Sequence, residues 1–163
     1  ETSMTGRVNG KVAIVTGAGS GGPGIGIGAA ISVVLAREGA LVLLVDRDPE
    51  RAGATRRLIE EEGGRAEVFA GDIARPADCE AMVAQAVEHF GRLDILVNNA
   101  AVSEHVPILD ASLELLERAI AVNLTGSFMA CRHAIPALIA AKGGSIINIG
   151  SIASVRAIGR AHV

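Results

Sequence analysis

The stretch KVAIVTG, residues 11–17, runs directly into AGSGGPGIGIG, residues 18–28. A short apolar run is followed by glycines and then by the start of an apolar-periodic helix. This order presents a helix N-terminus, with its partly positive N–H groups, through a loop whose glycines let an anion approach without meeting a Cβ. A glycine motif in a chain with 20 glycines is weak evidence by itself. The next apolar run, LVLLVD, ends in Asp46, and a carboxylate at that distance is what a dinucleotide ribose requires.

Outward from this stretch, apolar runs alternate with helical patterns. Strands are predicted over residues 11–16, 41–45, 67–70, 93–97 and 145–149. Helices are predicted over 29–37, 49–62 and 76–90, and over a long region from about 113 to 142 that Ser112 caps and that breaks near Asn123. Pro76 stands where its missing N–H costs little, and Gly63-Gly64 and Gly143-Gly144 are stops. Five strand–helix alternations imply right-handed crossovers and an α/β fold. Its expected form is a Rossmann-type, doubly wound parallel sheet of order 3-2-1-4-5 in three layers. Residues 1–163 read as one domain with no repeat, linker or low-complexity segment. Glu1-Thr2-Ser3 before Met4 reads as a cloning remnant.

Half the residues are apolar, but the aromatics are three Phe only. The core must therefore be aliphatic, as suits parallel strands buried between helices. A net charge of −3 without a basic cluster gives no footprint for nucleic acid or an anionic membrane. The apolar stretch 29–45 is interrupted by Arg37, Glu38 and Gly39 and cannot span a bilayer. Cys79 and Cys131 are not in a metal-spaced cluster, and neither are His89, His105, His133 and His162, so no metal site is expected. Two free thiols without a visible leader suggest the cytoplasm.

Taken together, these motifs resemble the short-chain dehydrogenase/reductase family over residues 7–151. The resemblance rests on Thr16-Gly17 with the glycines up to Gly28, on Asp72, on Asn98-Asn99-Ala100-Ala101, on Asn123 in VNLTG, and on Ser151 after INIG. It implies an NAD(P)-dependent oxidoreductase that moves a hydride between the cofactor and a secondary alcohol or ketone. The implied cofactor residues are Gly17, Ser20, Gly24, Ile25, Gly26, Asp46, Arg47, Asp72, Ile73, Asn98 and Ala100. Asp72 would receive the adenine amino group with Ile73 beside the ring, and Asn98 and Ala100 would lie near the ribose. Ser151 would hold the substrate oxygen and Asn123 would order a relay water.

Asp46 favours NAD, because a carboxylate accepts ribose hydroxyls and repels a 2′-phosphate. Arg47 is the group that could instead partner such a phosphate in NADP. The loop is about five residues longer than the family spacing of TG, three residues, then G-x-G. Gly24-Ile25-Gly26 is expected to contact the diphosphate, with Pro23 fixing the turn and leaving the Ile25 and Gly26 N–H groups free. The alternative triplet is Gly26-Ile27-Gly28, with the insertion wholly in front.

The family's acid–base tyrosine and its lysine lie about a dozen residues beyond this serine. The chain has no tyrosine. It is accordingly expected to be part of a longer protein that lacks here the catalytic helix and later strands. Alone it should be nearly inert, since a positioned acid–base contributes about 100- to 10,000-fold. Strand five would then be an exposed apolar edge. The long region 113–142 resembles the family's assembly element and implies a homodimer or homotetramer. The rival reading is a non-catalytic nucleotide-binding module.

Overall fold

The computed structural model describes residues 6–22, 24–104 and 106–152. The expectations placed on residues 1–3, on Pro23, His105 and His162 lie outside that set. The elements run β1 (Val12–Thr16), α1 (Ile27–Arg37), β2 (Leu41–Asp46), α2 (Pro49–Glu61), β3 (Arg65–Ala70), α3 (Pro76–Phe90) and β4 (Ile95–Asn98). After β4 come α4 (Leu113–Ala119), a π-helical segment (Ile120–Gly126), α5 (Ser127–Ala140) and β5 (Ser145–Asn148). The sheet is parallel throughout, in the order β3-β2-β1-β4-β5, as the alternation of elements requires.

The strands alternate between two aliphatic layers. Val12, Ile14, Leu43, Val45 and Leu96 face one layer, where Met82, Val83 and Ala86 of α3 meet Ala130, Ala134 and Leu138 of α5. Ala13, Val15, Val42, Leu44, Ile95 and Val97 face the other, against Val33 and Ala36 of α1 and Ala52 and Ile59 of α2. Every residue of β1 is inaccessible to solvent. Each fully buried Val, Leu or Ile contributes roughly 1.5–3 kcal/mol of apolar transfer, so β1, with both faces covered, is the strand that ties the layers together.

Several boundaries differ from the sequence reading for local reasons. Helix α1 starts two residues early, at Ile27, because Gly26 adopts the extended N-cap conformation, at φ −71° and ψ 162°. Strand β3 starts at Arg65, whose backbone pairs in register with Leu41 and whose guanidinium lies 5.5 Å from the Phe90 ring centre. Strand β4 starts at Ile95, since Asp94 is diverted into a polar rivet at the foot of the sheet. Its carboxylate accepts from the Val12 N–H (3.0 Å), from Lys11 Nζ (3.1 Å) and from Arg92 through two nitrogens (2.8 and 2.6 Å). The predicted break near Asn123 is instead a wider π turn that keeps the helical path continuous from Leu113 to Ala140. Among the described residues β5 pairs only with β4, and Ile147 and Ile149 remain largely exposed, as expected of an apolar edge.

Candidate active site

The strand order reverses between β1 and β4, so their C-terminal ends diverge and leave a crevice. A cleft of about 260 Å³ occupies that position, lined by residues that include Gly17, Gly19, Asp46, Asp72, Asn99 and Val102. Arg47, Ile73 and Ala100 also line it.

The floor of the cleft is organised by Thr16. Its hydroxyl donates to the Val97 carbonyl (3.3 Å) and accepts from the Asn99 and Ala100 N–H groups (3.0 and 3.1 Å). The Asn99 side chain then donates to the Thr16 and Gly17 carbonyls (2.9 and 3.0 Å). The loops after β1 and β4 are thereby bonded into one rigid unit. Thr16 and Asn99 both stand in the motifs that carry the family resemblance, yet neither is among the cofactor residues it implies, because their part is to hold the two loops together.

Two glycines make the close approach possible. Gly17 sits at φ +64°, a conformation L side chains rarely adopt. Gly28 lies in the first turn of α1, and an ideal Cβ there would be 2.1 Å from the Gly17 carbonyl oxygen and 2.5 Å from Asn99 Nδ2. The start of α1 is therefore pressed directly onto the loops that follow β1 and β4. The Gly26 N–H is not free as expected, because it donates to Ser20 Oγ at 2.8 Å. The loop folds back on itself, and Gly26 becomes the N-cap of α1. Ile25 is exposed.

At the tip of β2 the Asp46 carboxylate spans two segments. One oxygen accepts from the Gly19 N–H (2.9 Å) and the other from the Asp48 N–H (3.0 Å). These bonds fix its direction, and each oxygen retains a lone pair for a further donor. Arg47 is turned toward the cleft, 3.9 Å from Asp72 Oδ2. Asp72 also shapes its own turn, accepting from the Ala74 N–H (3.0 Å), while its N–H donates to Asp78 (2.7 Å). That backbone bond, with Arg75 beside it, holds the Asp78 carboxyl below its usual range despite partial burial.

Asn98 lies outside the cleft. It is buried, and its amide donates to Asn148 Oδ1 (2.8 Å) and Cys131 Sγ (3.3 Å), bracing β4 against β5 and α5. Asn123, in the π segment, clamps the loop beyond β4. Its side chain accepts from the Val102 N–H (2.9 Å) and donates to the Val102 carbonyl (2.8 Å). The side chain is committed to that loop. Ser151, just past the end of β5, is exposed and does not line the cleft. Ser20, Gly24, Ile25 and Gly26 do not line the cleft. Among the described residues no group of three His, Cys, Asp or Glu could hold a metal, and no helix is long and apolar enough to cross a membrane. Cys79 is sealed under the site, where burial pushes its thiol up to about 11.

Residues 11–162 match the profile of the family described as short chain dehydrogenase. The chain belongs to that family. A curated short-chain relative, D-threitol dehydrogenase of Mycolicibacterium smegmatis, is 38% identical over 152 residues, which is 93% of this chain and 56% of the relative. A metagenomic short-chain oxidoreductase solved in complex with NADP superposes with a TM-score of 0.81 at 41% identity, covering 88% of this chain and 63% of that one. NAD+-bound xylitol dehydrogenase superposes with a TM-score of 0.86 at 30% identity, covering 93% and 57%. The chain spans 50–60% of the length of the curated short-chain relatives it matches.

The residues present fit a dinucleotide. The contact of Gly28 with Gly17 leaves no room for a side chain, and the two carboxylates of Asp46 and Asp72, at and just past the ends of β2 and β3, line the cleft.

Proposed function

We propose that this chain is the NAD-binding portion of an oxidoreductase that interconverts a secondary alcohol and a ketone. The observation that carries the reading is the Asp46 carboxylate, fixed by the Gly19 and Asp48 N–H groups at the rim of the cleft. A fixed anion there accepts ribose hydroxyls and repels a 2′-phosphate. Membership of the family and the alcohol dehydrogenase names of its relatives support the reaction class.

The nicotinamide cofactor supplies or takes up the hydride. In this chain, the N–H groups at the start of α1 would face the diphosphate, Asp46 the adenosine ribose, and Asp72 with Ile73 the adenine. Ala100 would lie along the ribose path, and Asn98 would act from beneath by bracing β4. Ser151 would hold the substrate oxygen. Asn123 would act by fixing the loop at Val102, since its side chain is already engaged there. The 163 residues contain no tyrosine, so the acid–base group that the resemblance implies is not among them.

Titration of the protein with NADH and NADPH, followed by nicotinamide fluorescence, tests the reading. NADH should bind at least tenfold more tightly, and Asp46→Ala should erase the difference. Equal or tighter binding of NADPH would refute the NAD preference, and failure of both cofactors to bind would refute the dinucleotide site.

We also propose self-association through the helical region after β4. Leu116, Ile120, Leu124 and Phe128 recur every four residues through the π turn and are 45–67% exposed. Such a stripe marks a surface that another chain covers. Light scattering after size exclusion checks this, with a monomer at micromolar concentration as the refuting result.

A further inference from the structure

The glycine loop contains a closed excursion. The chain turns away at Ser20, one residue past the cleft-lining Gly19, and closes on itself at Gly26, where the Ser20 hydroxyl accepts the Gly26 N–H at 2.8 Å. The two ends nearly touch, for an ideal Cβ on Gly26 would lie 3.2 Å from the Gly19 carbonyl oxygen and 3.5 Å from the Ser20 Cα. Between them, Gly21, Gly22, Gly24 and Ile25 are all exposed. A side chain on Gly22 or Gly24 would meet nothing within 4 Å.

We infer that Ser20 is a positioning residue that clasps the loop shut, so that the cofactor-facing surface is built from residues 17–20 and 26–28 and residues 21–25 are dispensable for binding. With the excursion removed, the sequence reads Thr-Gly-Ala-Gly-Ser-Gly-Ile-Gly, which restores a three-residue spacing between Gly17 and Gly26. This inference rests on the dinucleotide reading and deepens it. The Ser20–Gly26 bond joins the β1 loop to the N-cap of α1, and so sets where the first-turn N–H groups of that helix point. The short span between the ends also means that shortening the loop adds little closure cost.

The test measures binding of ADP-ribose, which carries the diphosphate, and of adenosine, which does not, by calorimetry on three variants. Ser20→Ala should weaken ADP-ribose about fivefold, the worth of one hydrogen bond, and leave adenosine unchanged. Ser20→Thr keeps the hydroxyl and should restore ADP-ribose binding. Deletion of residues 21–25 should keep both affinities within about threefold. A folded deletion variant that loses ADP-ribose by more than tenfold, or an unchanged affinity in Ser20→Ala, overturns the inference. If the unaltered protein binds no ADP-ribose, the dinucleotide reading falls and this inference falls with it.

Discussion

Replacing Gly28 by alanine adds one methyl group where two loops and a helix meet. An ideal Cβ at that position would be 2.1 Å from the Gly17 carbonyl oxygen and 2.5 Å from Asn99 Nδ2. An ordinary carbon–oxygen contact needs about 3.2 Å or more, so helix and loop must separate by about 1.1 Å. The oxygen belongs to backbone and cannot swing aside. Asn99 is held by its bonds to the Thr16 and Gly17 carbonyls and must lose at least one of them to yield. Overpacking costs roughly 1–3 kcal/mol, and the lost hydrogen bond adds about 1 kcal/mol. The variant should be less stable by about 2–4 kcal/mol, or roughly 5–15 °C in Tm for a domain of this size. Because the displaced groups are the first-turn N–H donors, ADP-ribose affinity should fall at least tenfold. Gly53→Ala is the control, since a Cβ on Gly53 in α2 would meet only Arg57 Nη1, at 3.9 Å. That variant should gain about 0.5–1 kcal/mol and bind normally. Thermal melts and calorimetry on both proteins decide the matter. A Gly28→Ala protein matching the unaltered one in both measurements would refute the account of the cleft.

Three further outcomes follow from the side-chain networks. Asp94→Ala strips the partner from the Val12 N–H and from Lys11 and Arg92, and chemical denaturation at neutral pH should show a loss of about 2–4 kcal/mol. The Asp94 carboxyl is held below its usual range because its bonds from Arg92, Val12 and Lys11 outweigh the cost of burial, which acts oppositely. Its folded value lies below its unfolded one, so this stabilisation is complete above the unfolded value of about 3.9 and disappears as pH falls through the folded value. The unaltered protein should therefore lose its advantage over Asp94→Ala in strong acid, and a constant difference down to pH 2 would refute the assignment. Asn123→Ala frees both polar groups of the Val102 backbone, and hydrogen exchange should show faster exchange of the Val102 amide with the β1 amides unchanged. In thiol labelling of the native protein near pH 8, Cys131 should react first, while Cys79, buried and raised to about 11, should react only as fast as the protein unfolds.

The fold was legible because buried parallel strands must be apolar on both faces. Runs such as VAIVT and LVLLV therefore stand out between helical periods that carry charge, and they end in glycines or acids. The boundaries were less legible where one side chain redirects the backbone. Arg65 looks like a loop residue until its pairing with Leu41 is seen. Asp94 reads as strand until its contacts with Lys11, Val12 and Arg92 are seen. For the site, Asp46 was read from its place at the end of the second apolar run, and Asp72 and Gly17 from the family resemblance; all three line the cleft. The part of Thr16 depends on Asn99 and Ala100, which are 83 and 84 residues away in sequence.

From sequence alone came the alternation of strands and helices, the order of the sheet and the acidic residue at the tip of β2, because each follows from local periodicity and short-range spacing. Only the tertiary structure decided how the long loop between β1 and α1 is used. Ser20 and Gly26 are separated by five residues, and nothing in their order shows that they meet. Likewise, Asn98 and Asn99 are neighbours of the same type, yet one bonds across to Asn148 of β5 and Cys131 of α5 and the other holds the cleft floor. Successive side chains leave a strand on opposite faces, and what each face meets is set by the packing of distant elements.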